Sequence, residues 1–292
     1  MKRALSLHCC KSSLPILWRR RCCVDPNPYR CLHAYREVRQ ACAIWLKNRV
    51  YTSYTLEAPS VRRPDLVPIK AGDRQALRQA MLPLLSRAPT RTVAVQLSHT
   101  LKNMVAHDLP KGNWPSLIQE IKLLLASSDP GQIYAGSLAA LECVRAFRFR
   151  QKADILPNLI AELFPALVNI ANQLISAPPG TDQDVPAILH LILKTYKTSI
   201  GIRLSNHQQS PESIVPWGQL LFKVVNLHVP DHAVPSDEDD RQVCEWWKTK
   251  KWAYNTLGRL FRQHVFLPHL LAFVLIPSQI RQSFPAAQLA CR

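Results

Sequence analysis

The sequence predicts an all-α fold, a right-handed superhelical stack of helical pairs. Three observations predict it. Apolar residues recur at i, i+3, i+4 and i+7 in segment after segment from residue 37 onward. No stretch shows the apolar–polar alternation of a half-buried strand. Helical pairs recur every 40–55 residues or so, a period at which each unit cannot bury its apolar faces alone and must stack on its neighbours. A chain of 292 residues has room for one or two domains or one short solenoid.

The elements follow in order. Val38, Ala41, Ile44, Trp45 and Val50 line one face of a first helix, and a Pro-containing linker covers 58–72. Asp73 is placed to cap the next helix, whose Leu77, Ala80, Met81, Leu84 and Leu85 form an apolar stripe. Ala88-Pro89-Thr90 ends it. Val93, Leu97, Leu101, Met104 and Val105 mark the following helix, which stops before Pro110 because the residue preceding a proline avoids helical backbone. Trp114-Pro115 opens a helix that buries Leu117, Ile118, Ile121, Leu124 and Leu125. Asp129-Pro130 reads as an N-cap followed by proline at the first helical position. Ile133, Tyr134, Leu138, Leu141, Val144 and Phe147 then form a wide apolar face.

Residues 99–148, which hold three of these helices, are the most plainly patterned part of the chain. Residues 155–176 are apolar on most sides, which predicts a sandwiched helix with Pro165 as its kink point. Pro178-Pro179-Gly180 is a loop. Helices at about 182–205, 213–228 and 243–264 complete the series. The recurrence matches HEAT-type pairs, about four of them between 37 and 264.

Composition narrows the function. Apolar content supports a real core, and only 8 Gly disfavour Gly-rich nucleotide loops. Nine Cys without regular spacing indicate free thiols in a reducing compartment. The net charge of +17 is uneven: residues 1–36 carry eight Lys/Arg against Asp25, 266–292 carry +2, and the middle retains +8. A basic helical protein is suited to RNA or acidic membranes, although a solvated surface explains the same charge. The apolar run Phe266–Ile276 is too short to span a bilayer, and no membrane partner is expected. The basic N-terminus resembles a mitochondrial presequence, but Cys9-Cys10 and Cys22-Cys23 interrupt any clean amphipathic helix.

Candidate chemistry is sparse. Gly131 to Ser137 mimics a phosphate loop but lacks its lysine and a preceding strand, so Gly136 reads as a helix-packing glycine. No nucleophile–base or metal constellation can be assembled, so no enzyme, cofactor or metal is expected. Cys9, Cys10, Cys22, Cys23 and Cys31 are poorly spaced for one tetrahedral ion. His107-Asp108 ends a helix, where the histidine is expected to meet the terminal carbonyls. Asp237, Glu238, Asp239 and Asp240 form an acidic loop that suits a basic partner or plain solvation. Cys244 to Tyr254 carries three Trp and three Lys, read as a helical core with a cationic rim, with base stacking as the alternative.

Four motifs agree on one resemblance. Val38-Arg-Gln-Ala-Cys-Ala-Ile-Trp-Leu-Lys-Asn48 resembles the second helix of the importin-β amino-terminal domain. His107-Asp-Leu-Pro with Asn113-Trp-Pro115 resembles a turn between later repeats of that family. Ser128 to Gly136, and Asp237 to Asp240 with Trp246 to Ala253, resemble the large importins of the karyopherin-β group. The resemblance covers about 37–264, with no recognisable first helix before residue 37. It implies a HEAT solenoid that binds the GTPase Ran in its GTP form, touches nucleoporin FG repeats and carries protein cargo, shuttling between nucleus and cytoplasm. Within the matching motif it implies Arg39, Lys47, Asn48 and Arg49 as Ran contacts, with weak binding where the partner helix is missing. The alternative is a helical-repeat nucleic-acid-binding protein, possible in a mitochondrion. Residues 1–36, basic and Cys-rich, are expected to be disordered or mispredicted, and 265–292 to be an atypical tail; a mispredicted start and a read-through intron would explain both edges, a short isoform or a degraded gene copy less simply. An exposed seam at Trp252, Leu257 and Leu260 would follow.

Overall fold

Two rows of antiparallel helices carry the core. The structure, a computed structural model, describes residues 28–57, 66–149, 154–176, 184–201, 204–229 and 233–264. Among them are eleven helices, one 3-10 turn and no strand: α1 (Pro28–Ser53), α2 (Ala71–Ser86), α3 (Arg91–Asp108), the turn Leu109–Lys111, α4 (Leu117–Leu125), α5 (Pro130–Phe147), α6 (Ile155–Ser176), α7 (Val185–Ser199), α8 (Asn206–Gln209), α9 (Pro211–Asn226), α10 (Glu238–Val243) and α11 (Glu245–His264). The hairpins are α2/α3, α4/α5, α6/α7 and α9/α11. One row stacks α1, α3, α5, α7 and α11 in succession, and the other stacks α4, α6 and α9, with α2 leaning on both α3 and α5. This is the expected all-α HEAT-type stack of four pairs, preceded by α1.

Local chemistry sets the helix starts. Thr90 accepts from the Val93 amide at 3.3 Å and starts α3. Asp129 accepts from Gly131 N at 2.9 Å, with Pro130 at the first position of α5. Gly112, at φ 67°, takes the left-handed residue that closes the turn after α3. α6 runs through Pro165 without a break.

Packing is set by the row. α5 lies mid-row, so its run Ala135–Val144 is buried on every side. Its small residues admit close neighbours: a Cβ on Gly136 would lie 3.1 Å from Leu124 Cβ. Between the rows, Tyr196 of α7 stacks on Trp217 of α9 at 4.2 Å, and Phe164 of α6 meets that indole edge-on at 5.4 Å.

Several expectations are corrected. α6 is not the sandwiched helix: Asn158, Ala161, Glu162, Pro165, Asn169 and Gln173 form an exposed stripe, because the row it belongs to is open on one side. By length and composition α6 could cross a membrane, yet its Leu159, Leu163, Phe164 and Leu167 pack into the stack. The first helix begins at Pro28. Its buried face is Ala43, Val50, Ser53 and Tyr54, which meets α3, whereas Ala41 is exposed and Trp45 is 63% exposed. The face with Trp45 points away from α3, and no described helix covers it. In α2, Leu82 takes the buried place expected for Leu84, which faces out. Ile118 and Leu124 are half-buried. α7 stops at Ser199, short of 205. Leu260 is 1% exposed, and Trp252 and Leu257 pack against the core, so they form no exposed seam. Residues 1–27 and 265–292, the side chain of Cys31 and the Pro178-Pro179-Gly180 loop lie outside the described residues.

Candidate partner-binding surface

The site begins with how α1 is held. Asp108, at the end of α3, is buried, and its carboxylate gathers three helices. Tyr54 at the end of α1 donates its hydroxyl to Oδ2, Arg78 of α2 donates to the same oxygen at 3.2 Å, and His107 Nδ1 lies 3.0 Å from Oδ1. His107 also meets the Tyr54 ring edge-on at 5.6 Å, and Lys111 Nζ lies 3.0 Å from its Nε2. The histidine thus serves the carboxylate and not the terminal carbonyls expected from sequence. Arg74 clamps the chain after α1, donating to the carbonyls of Ile69 at 3.0 Å and Leu56 at 2.6 Å while lying over the Tyr54 ring.

Burial opposes the charge on Asp108, but the hydrogen bonds from Tyr54, His107 and Arg78 and the Arg78 charge outweigh it and hold the carboxyl below its ordinary range. Burial and the neighbouring Asp108 push the Tyr54 hydroxyl up, so it stays protonated and donates. The sign for stability follows. A carboxyl with a depressed folded-state pKa stabilises fully above its unfolded value, and that share is lost as pH falls through the folded value. The melting temperature of the chain is therefore expected to fall as pH drops below about 4, more steeply than that of Asp108→Ala. Thermal melts of both proteins across that range check it, and parallel curves would contradict it.

The four sequence-predicted contact residues all lie on α1 but do not share a face. At 100° per residue, Arg39 and Asn48 are half a turn apart. Both are exposed. Lys47 reaches across to Gln96 Oε1 on α3 at 2.8 Å, and Arg49 folds back onto Ser53 Oγ at 2.7 Å. Asn48 shares the outward face with Ala41, Trp45, Tyr51 and Thr52.

The acidic run is more ordered than a solvated loop. Asp237 caps α10, accepting from the Asp239 amide at 3.0 Å, and Arg241 closes the turn onto Pro235 O at 3.1 Å. Asp237, Asp239 and Asp240 are exposed; Glu238 begins α10.

The Trp/Lys helix α11 divides its side chains. Trp246 and Trp252 pack on the core, while Trp247 is 43% exposed. Lys250 donates to Leu227 O at 2.8 Å. Arg91 ties the row together, reaching Asp184 at 3.3 Å and Glu245 at 3.4 Å. Between the ends of α5, α7 and α11 a cleft of about 270 Å³ is lined by Arg148, Phe149, Lys197, Thr198, Gly201, Trp252 and Arg259. Sequence reasoning did not find it, nor Tyr54, Arg74 and Arg78, because their partners lie tens of residues away and leave no local pattern. Among the described residues, no three His, Cys, Asp or Glu stand close enough to hold a metal ion.

Comparison with known proteins supplies relatives along most of the chain. It is 30% identical over 238 residues to importin-8 of Mus musculus, a match covering 80% of this chain and 23% of the relative. To importin-8 of Homo sapiens it is 28% identical over 235 residues, covering 80% and 22%. To the importin beta-like SAD2 homolog of Arabidopsis thaliana it is 28% identical over 227 residues, covering 77% and 21%. The chain thus spans less than a quarter of the length of the curated relatives it matches. No family model and no solved structure matches it.

Proposed function

This chain belongs to the importin-β (karyopherin-β) family of nuclear transport receptors, as an amino-terminal portion, and from that premise we propose that it binds Ran in its GTP form, contacts FG repeats of nucleoporins and carries protein cargo between cytoplasm and nucleus. The observation that supports this best is the extent of the match to importin-8, which covers 80% of the chain. An extended two-row stack of this kind offers a long surface to proteins and holds no assembled catalytic group among its described residues.

On this reading α1 is a Ran-contacting helix. Arg39 and Asn48 are its exposed polar contacts, Lys47 and Arg49 flank them, and the Asp108 cluster holds the helix against α2 and α3. The acidic turn of Asp237, Glu238, Asp239 and Asp240 faces a basic partner segment, by charge complementarity. The test is a pull-down of the 292-residue chain on immobilised Ran. Retention on the GTP-loaded protein and passage over the GDP-loaded one is the expected result. Equal retention on both, or on neither, would overturn the Ran assignment.

A further inference from the structure

We propose that the cleft between α5, α7 and α11 is a docking site for a carboxylate-rich linear segment of a partner protein. The proposal deepens the transport reading by naming the chemistry of a partner, and it rests on that reading only in taking the partner to be a protein.

The lining carries the argument. Three of its side chains are cations, Arg148, Lys197 and Arg259, two are aromatic, Phe149 and Trp252, and none is acidic. The nearby carboxylates are buried or shared, with one oxygen of Glu142 left without a hydrogen-bond partner. Glu142 is buried and accepts from Arg145 at 2.6 Å, and Glu245 is shared by Arg91, His190 and Lys248. Lys197 Nζ lies 4.4 Å from the centre of the Trp252 ring, and Lys194 Nζ 5.5 Å from it. Burial, and then the charges of Arg259 near Lys197 and of Arg145 near Lys194, hold both ammonium groups below their ordinary range. Positive charge is therefore concentrated where it is partly desolvated, and an incoming carboxylate offsets the repulsion between the cations and gives them a counter-charge in place of lost water. Arg259 donates to Gly201 O, which fixes its guanidinium at the rim. Phe149 is 72% exposed beside Arg148, whose guanidinium lies 4.5 Å from its ring centre, so an apolar neighbour of the acidic side chain has an aromatic surface to cover.

The geometry favours a peptide over a nucleic acid. Single-stranded nucleic acids need successive aromatic faces open for stacking along a cationic groove. Here the Trp252 ring is taken by two ammonium groups and by His190 at 5.7 Å, and the Phe149 ring by Arg148. Carboxylates also match the guanidinium of the exposed Arg148 in shape and charge.

The experiment is fluorescence anisotropy of a labelled oligo-glutamate peptide titrated with the full chain, without Ran. Binding is expected, and Arg148→Glu and Lys197→Glu are each expected to weaken it by about tenfold or more. Lys70→Glu, the same charge change at an exposed position outside the cleft, should leave it nearly unchanged. Arg148→Gln, at an exposed residue with little to lose in folding, gives a second variant, and its melting temperature is recorded beside its affinity. No binding, an equal loss with Lys70→Glu, or tighter binding of labelled oligo-uridine would overturn the proposal. A failure here with GTP-dependent Ran retention intact removes the cleft and leaves the transport reading standing.

Discussion

Replacing Leu138 by aspartate is expected to destabilise the chain by about 4 kcal/mol or more. Leu138 is 4% exposed on α5, the helix that touches α2, α3, α4, α6 and α7. Two costs add. Removing the isobutyl group forfeits apolar burial and leaves space that its neighbours fill only in part, about 2–5 kcal/mol for truncations of this kind. The new carboxylate is buried in a closely packed seam, so it either takes up a proton or drags water in with it. Because α5 is central, the loss falls on several interfaces at once. Domains are stable by only about 5–15 kcal/mol, so this variant is expected to melt roughly 10 °C or more below the wild type. A thermal melt followed by circular dichroism checks it, and an unchanged midpoint would mean that this face of α5 does not pack as described.

Asp108→Ala is expected to cost about 2–4 kcal/mol, because it leaves the buried Tyr54 hydroxyl without its acceptor while Arg78, 18% exposed, turns to water. The substitution strips the Arg78 guanidinium and the Tyr54 hydroxyl of a shared acceptor in a place where Tyr54 is 1% exposed. The loss is local in origin. α1 is held chiefly to α3, and the Tyr54–Asp108–Arg78 link is the buried one of its polar ties to α2 and α3, beside Lys47–Gln96 at the surface. Hydrogen exchange is therefore expected to show α1 and the segment 66–70 losing protection first, with α6, α7 and α9 little changed. Asp108→Asn keeps an acceptor and should cost less than Asp108→Ala. Uniform loss of protection along the whole stack would contradict a local role.

What the sequence allowed divides by the range of the interaction. The start of α5 was legible because Asp129 and Pro130 act within three residues, whereas Thr90 read only as part of a break and not as the cap of α3 that it is. The place where α3 ends was legible from Pro110, but not its cause: Leu109 keeps helical backbone (φ −63°, ψ −43°), and the chain leaves the α-helix through the turn Leu109–Lys111 that Gly112 closes. The burial of α5 was only half legible: its apolar positions show, but its close packing runs through Ala135, Gly136, Ala139 and Ala140, small residues that a search for large apolar faces passes over. The apolar α6 read as more buried than it is, because composition does not tell how many sides a row leaves open. The face of α1 was misread for a similar reason. Trp45 and Val50 are equally apolar, and only the position of α3 decides that Val50 goes in and Trp45 faces out. For the site, the residues of α1 were legible through resemblance, whereas their separation around the helix, the Asp108 cluster and the basic cleft depend on contacts between distant segments.

The affinity of the chain for Ran in its two nucleotide states tests the central claim most directly. A titration against Ran loaded with a non-hydrolysable GTP analogue is expected to give measurable binding, weaker than that of a full-length receptor of the family and further weakened by Arg39→Glu. Against GDP-loaded Ran no binding is expected at the same concentrations. The same affinity for both nucleotide states, or binding indifferent to Arg39→Glu, would contradict the role assigned to α1.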